Sequence, residues 1–249
     1  MNNDLNLAVL IDADNIPSAY IKEMMEEIAK YGNPTLKRIY GDWTTPRVGK
    51  WKNILLENAL SPIQQYAYTT GKNATDSAMI IDAMDILYSK EVDGFCIASS
   101  DSDFTKLAMR LREAGKLVIG IGEKKTPEPF IVACDRFIYL EILNKVEEKN
   151  SGKSTSAKKK KDETIDKVNK KLLNTLRTTV DDIAEEDGWA YLGDVGNLLQ
   201  KKQPNFDSRN YGFQKLTKLI DSTEQFEIEK RENNKGHLKL INVKNKKKK

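Results

Sequence analysis

Gly94-Phe95-Cys96-Ile97-Ala98-Ser99-Ser100-Asp101-Ser102-Asp103-Phe104 is the stretch that decides how the first half of this chain reads. Gly94–Ser99 is a short, nearly continuous apolar run, the pattern of a strand covered on both faces. Two aspartates separated by one serine follow at once. From Asp103 to Ala114 the apolar period turns helical, Gly115 supplies a stop, and Leu117–Ile121 is a second apolar run. Strand, loop, helix and strand in that order form a βαβ unit, which requires a parallel sheet.

The same alternation continues in both directions. Leu5–Ile11 reads as a buried strand. Pro17 suits the opening of a helix with Ile21, Met24, Met25 and Ile28 on one face and Gly32 behind it. Leu36–Tyr40 and Ile63–Tyr68 read as strands, Trp51–Ala59 and Ala74–Tyr88 as helices, Pro129–Ala133 as a short helix, and Phe137–Leu140 as a last strand. The expected class is α/β, with helices on both faces of a mostly parallel sheet.

Four aspartates stand where such strands end or helices begin: Asp12 after Leu7–Ile11, Asp76 at the start of a helix, and Asp101 and Asp103 after Gly94–Ser99. In an open α/β sheet, ligands bind outside the carboxyl ends of the strands. Gathered there at about 4 Å, each pair of carboxylates would repel by roughly 4 kcal/mol at an effective dielectric of about 20. Such a group needs protons or cations, and oxygen-only ligands favour Mg2+ or Mn2+. Each residue also has a plainer reading. Asp14, Asn15, Asp76 and Asp103 can cap or charge a helix start; Asp82 falls off the Asp76 face of their helix, and Asp82 and Asp85 read as surface groups or as groups supporting the site from behind. Asn15 can hold a ligating carboxylate, and Ser99 can bond a metal-bound water or a phosphate.

Composition narrows the chemistry. One histidine makes His-ligated zinc and Ser-His-Asp catalysis poor readings, and the two cysteines lack metal-ligand spacing. Cys96 is expected as a buried, reduced thiol. No apolar run approaches the ~20 residues of a membrane span, and Met1-Asn2-Asn3-Asp4 does not begin a signal peptide, so a cytoplasmic protein with no membrane contact is expected. The net charge of +4 hides an asymmetry: residues 1–143 carry 16 Lys+Arg against 20 Asp+Glu, and residues 144–249 carry 25 against 17. A basic half that holds a polyanion for an acidic half to work on is one explanation; a solubilising lysine-rich surface is the other.

Three motifs carry a resemblance. Ile11-Asp12-Ala13-Asp14-Asn15, Thr70-Gly71-Lys72-Asn73-Ala74-Thr75-Asp76 and Ser99-Ser100-Asp101-Ser102-Asp103-Phe104 resemble, in order and spacing, the motifs of NYN domains in the PIN-like nuclease superfamily, close to the LabA-like branch. The resemblance covers roughly residues 5–142. It implies a three-layer α/β/α domain, a Mg2+ or Mn2+ site at Asp12, Asp76, Asp101 and Asp103 with Asn15 beside the first, and cleavage of RNA to 5′-phosphate and 3′-hydroxyl ends; single-stranded RNA is the expected substrate. On this reading Lys72, Arg47, Lys50 and Lys52, with Ser99, would hold the substrate backbone. Tyr40, Trp43, Tyr66 and Tyr68 would stack bases or simply fill the core.

After the acidic half, Glu147–Asp162 has almost no apolar residues and includes Lys158–Lys161, the composition of a flexible linker. Ile165, Val168, Leu172, Leu176, Val180 and Ile183 form a helical stripe; Leu192–Gln200 and Tyr211–Ser222 read as helices, and Phe226–Lys230 with His237–Asn242 as a hairpin. That is the outline of a small winged helix-turn-helix domain. Gly188-Trp189-Ala190-Tyr191-Leu192-Gly193-Asp194-Val195, with Phe206 and Tyr211-Gly212-Phe213, resembles an OST-HTH or LOTUS domain, a family that binds RNA or protein partners. The expected organisation is a nuclease domain over 1–144, a linker over 145–164, a winged-helix domain over 165–243 and a basic tail over 244–249. Lys201, Lys202, Arg209, Lys215, Lys218, Lys230, Arg231, Lys235 and Lys239 are the candidate RNA-binding cations.

Two rival readings remain. Asp12-Ala13-Asp14 mimics the paired aspartates of haloacid-dehalogenase-like phosphatases, but Ile16 stands where that family has Thr or Val. A non-catalytic RNA-binding adaptor is the other. The sequence leaves open the particular RNA, RNA against DNA, endo- against exonucleolytic cleavage, and the oligomeric state.

Overall fold

The computed structural model describes residues 5–44, 51–66, 74–89, 91–143, 165–232 and 239–246. They fall into two compact units, within Met1–Gly152 and Lys153–Lys249 respectively.

In the first unit, β1 (Asn6–Asp12) is the centre of a six-stranded sheet. Leu7, Ala8, Val9, Leu10 and Ile11 are all fully buried, because strands of a covered parallel sheet lose water on both faces. β2 (Asn33–Gly41) and β4 (Gly94–Ala98) flank β1, β3 (Ser61–Gln64) forms one edge, and β5 (Leu117–Gly122) and β6 (Arg136–Tyr139) continue to the other. The order is β3-β2-β1-β4-β5-β6, and every pairing is parallel. Helices α1 (Ile21–Ile28), α2 (Trp51–Glu57), α3 (Ala74–Ser89), α4 (Thr105–Glu113), α5 (Glu128–Ala133) and α6 (Leu140–Leu143) connect and cover them.

Local details depart from the sequence reading at element ends. The helix expected from Asp103 opens as a 3-10 turn, Ser102–Phe104, and becomes α-helical only at Thr105. The third strand starts at Ser61 and ends at Gln64, two residues ahead of the expected Ile63; Tyr68 lies outside the described residues. Gly122 is required by close approach: a Cβ there would fall 2.6 Å from the Ser99 carbonyl oxygen. Cys96 and Cys134 are free and buried, and burial pushes both thiols up, Cys134 to about 12.

The second unit packs α7 (Lys170–Ile183), α8 (Leu192–Lys202) and α9 (Leu216–Ser222) against an antiparallel sheet of β7 (Ala190–Tyr191), β9 (Lys239–Asn245) and β8 (Phe226–Glu232). Helix, strand, two helices and a hairpin is the winged helix-turn-helix order. Its core is Leu172, Leu176, Val180, Val195, Leu199, Leu219, Ile220, Phe226, Val243 and their neighbours. α7 begins at Lys170, not Ile165, because the Asn169 side chain caps it, accepting from the Leu172 N–H at 2.9 Å. Ile165 and Val168 are left 36% and 38% exposed. The helix expected over Tyr211–Ser222 is split: a 3-10 turn, Ser208–Tyr211, ends on Gly212 in the left-handed region (φ 85°), and α9 starts at Leu216. Among the described residues, no helix is long and apolar enough to cross a membrane.

Candidate metal centre

The strand order creates the site. From β1 the chain moves outward to β2 and β3, then crosses back to insert β4 on the other side of β1. Segments leaving the carboxyl ends of β1 and β4 therefore border a crevice at a topological switch point. Asp12 ends β1, and Ser99–Asp103 leave β4.

Asp76, in the first turn of α3, meets Asp101 and Asp103 there. One carboxylate oxygen of each lies within 4.8 Å of the others. Asp76 and Asp101 are half-buried and Asp103 is exposed. Asp12 stands beside this trio in a different state. It is 1% exposed, and both its oxygens are bonded by protein groups. The Asn15 side-chain amide donates to Oδ2 at 2.6 Å and the Ser99 hydroxyl at 2.9 Å. The backbone N–H groups of Asp14 and Asn15 donate to Oδ1 at 3.0 and 3.3 Å.

Ser99 links two parts of the site. Its hydroxyl donates to Asp12 and accepts from the Asp101 N–H at 3.1 Å, so β1 and the loop after β4 share one hydrogen-bond chain. Asp101 Oδ1 in turn accepts the Asp103 N–H at 2.9 Å. The capping function considered for Asp103 thus falls to Asp101. Asp14 is exposed, and its carboxylate accepts from the Thr75 hydroxyl at 3.4 Å.

Negative charge accumulates in the crevice. Burial, then the charges of Asp12, Asp101, Asp103 and Asp14, push Asp76 up from the ordinary 3.8 to about 6. Burial also raises Asp12, against the opposing hydrogen bonds of Asn15, Ser99 and Asp14. Three converging carboxylates, with no histidine or cysteine in their group among the described residues, fit a hard divalent cation, whose oxygen ligands at ~2.1 Å stand about 3 Å apart in an octahedral shell.

Other residues named from sequence go elsewhere. Lys72, Arg47, Lys50 and Tyr68 lie outside the described residues. Tyr40 is no base-stacking surface: it is fully buried, with its hydroxyl on Asp82. Trp43 is half-buried, its indole N–H on the Ile63 carbonyl at 2.9 Å and its ring edge-on to Trp51. Tyr66 is 55% exposed, and Lys52 is exposed. In the second unit, Arg209 is engaged by Asp207 and Lys202 by Asp182 and Thr179, whereas Lys201, Lys215, Lys218 and Lys230 are exposed. Lys235 and the side chains of Arg231 and Lys239 lie outside the described residues. Sequence reasoning missed the Arg38–Asp82–Tyr40 group and the Thr75 contact, since both depend on α3 lying beside distant strand ends.

Among solved structures, the chain is similar to a crystallised protein of unknown function from Vibrio parahaemolyticus: 19% identity over 55% of this chain and 93% of that one, TM-score 0.47. It is also similar to an uncharacterized protein from Nitrosomonas europaea solved by NMR: 29% identity over 40% of this chain and 86% of that one, TM-score 0.31. No curated protein matches the chain. A profile of the OST-HTH/LOTUS domain matches residues 163–238. A profile of the NYN domain matches residues 6–141, more than half of the chain, which therefore belongs to the NYN family of PIN-like nuclease domains and carries an OST-HTH/LOTUS domain behind it.

Proposed function

We propose that this protein is a metal-dependent ribonuclease that cuts single-stranded RNA at the aspartate crevice and grips it through its OST-HTH/LOTUS domain. The observation that carries the reading is the convergence of Asp76, Asp101 and Asp103 at the switch point, with Asp12 buttressed behind them. Family membership supports it and displaces the phosphatase reading.

In this proposal Asp76, Asp101 and Asp103, with Asp12, hold Mg2+ or Mn2+. A bound divalent ion supplies a polarised phosphate, a water of lowered pKa and charge for the leaving oxygen. The chain's own residues do the rest. Asn15 and Ser99 fix the Asp12 carboxylate, and Ser99 also sets the Asp101 backbone. Lys72, Arg47 and Lys50 are proposed, on sequence alone, to hold the substrate backbone. Exposed cations of the second unit, Lys201, Lys215, Lys218 and Lys230, would contact phosphates further along the strand.

The test is incubation of end-labelled single-stranded RNA with the purified protein in Mn2+, Mg2+ or EDTA, beside Asp101→Asn. Cleavage that needs metal and is lost in the variant is the expected result. Binding without cleavage in every condition would replace the nuclease with an RNA-binding adaptor.

A further inference from the structure

α3 has an unusual composition for a helix that delivers a site residue. Met79, Ile80, Ile81, Ala83, Met84, Ile86 and Leu87 place apolar groups nearly all the way round it. Met79, Ala83 and Ile86 face the core, yet Ile81 is 63% exposed. Burial selects a helix's rotation through the contrast between its faces. Here the contrast is small, so apolar packing alone gives α3 little reason to prefer one rotation over the next.

A polar group provides the missing preference. Asp82, in the middle of α3, accepts from the Arg38 guanidinium on one oxygen and from the Tyr40 hydroxyl on the other. Both donors come from β2, and Tyr40 is fully buried. A turned helix would leave that hydroxyl and part of the carboxylate unsatisfied away from water, which is costly. Tyr40 also reaches the site through its backbone. It pairs in register with Asp12, and its carbonyl accepts the Ala13 N–H at 3.0 Å. One residue thus braces the Asp12 turn and holds the helix that carries Asp76, six residues and about 9 Å along the axis from Asp82.

We propose that Asp82, held by Arg38 and Tyr40, is the pin that fixes the rotation of α3 and so brings Asp76 to Asp101 and Asp103. Asp82 and Tyr40 are positioning residues and touch neither metal nor RNA. Buried polar groups that set register while apolar contacts set affinity are well attested in helix assemblies. The inference rests on the proposed metal centre for its consequence, but its geometry stands separately.

Two measurements on the full-length protein test it. The first is Mn2+ affinity by calorimetry for wild type, Asp82→Asn, Tyr40→Phe and the double variant, with Ile86→Val as a control that disturbs the same helix without touching the pin. Expected are about tenfold weaker Mn2+ binding in each pin variant, a double variant no worse than Asp82→Asn alone, RNA affinity within about twofold of wild type, and an Ile86→Val protein that binds Mn2+ normally. The second is the distance between spin labels at Asp85→Cys on α3 and Lys106→Cys on α4, both outside the pin, with and without Asp82→Asn. A distribution that broadens or shifts in Asp82→Asn supports the pin; an unchanged one overturns it. Pin variants that bind Mn2+ as wild type does, or a control that loses as much as they do, also overturn it. A wild-type protein that binds no Mn2+ sinks the metal centre instead, and the label distances still decide the pin.

Discussion

The two units of this chain solve the burial problem in opposite ways. In the first, a parallel sheet is covered on both faces, and β1 has five consecutive side chains without solvent contact. Polar chemistry is pushed to the strand ends, where carboxylates are held by each other's backbone and by Ser99. In the second, three helices pack on a three-stranded antiparallel sheet, the core is small, and the cations are spread over the surface. The contrast teaches where each function can live. Precise convergence of like charges needs a rigid, doubly covered scaffold, whereas grip on a polyanion needs only exposed cations, each adding a little. The charge counts follow the same division: −4 over residues 1–143 and +8 over residues 144–249.

The largest expected effect breaks the comparison at the acidic unit. If the proposed ribonuclease reading holds, Asp101→Asn should lower the cleavage rate by at least about a hundredfold, since it removes a proposed metal ligand and leaves the fold's core untouched. Circular dichroism alongside rate measurement checks both halves of that statement, and an undiminished rate would place the chemistry elsewhere. Next comes the basic unit. A chain ending at residue 150 should bind single-stranded RNA about ten- to a hundredfold more weakly at low salt, and its log–log salt slope should flatten by about 0.7 for each phosphate that the shortened chain leaves unneutralised. An unchanged slope, read by fluorescence anisotropy across a salt series, would assign the OST-HTH/LOTUS domain to a protein partner.

Smaller effects sharpen the comparison. Ser99→Ala strips a donor from buried Asp12 and an acceptor from the Asp101 N–H, at a cost of about 1–3 kcal/mol in stability. Urea unfolding should register that loss in the first unit's transition alone. Asp76 gives a pH signature. Its folded-state value near 6 exceeds the ordinary 3.8, so the native metal-free protein binds the extra proton between those values. Stability from this group is complete below about 4 and is lost as pH rises through 6. The melting temperature of metal-free protein should fall over that window relative to Asp76→Asn, and Mn2+ at pH 7 should restore it by mass action. A parallel pH profile in the two proteins would contradict the clustered charge. Smallest is Gly212→Ala, which forces a side chain into the left-handed region at φ 85° and should cost the second unit about 1 kcal/mol while sparing the first.

Legibility in the sequence followed the same divide. Strands such as Leu7–Ile11 and Phe95–Ala98 were readable because full burial demands unbroken apolar runs. The candidate aspartates stood out for a related reason: polar residues directly after such runs mark the rim of the sheet. Element ends were less readable. The apolar period of α7 runs on to Val168 and Ile165, and only the Asn169 cap, a local hydrogen bond, stops the helix. Two-residue β7 is too short for any periodic signal. Tyr40 could pass for an exposed aromatic because its partner, Asp82, lies 42 residues away and faces it only after α3 has docked on β2. Asp12 was readable as a site carboxylate, but the four donors that surround it come together only in the folded crevice.

The switch in strand order also has a temporal consequence. Asp12 and its partner Ser99 are 87 residues apart, and β4 must pair with β1 before the two can meet. Contacts of that separation form late, after the entropy of closing a long loop has been overcome. A nascent chain that has not yet extruded Asp103 holds no complete acidic trio, so whatever chemistry the trio supports waits until most of the first unit's strands have been made.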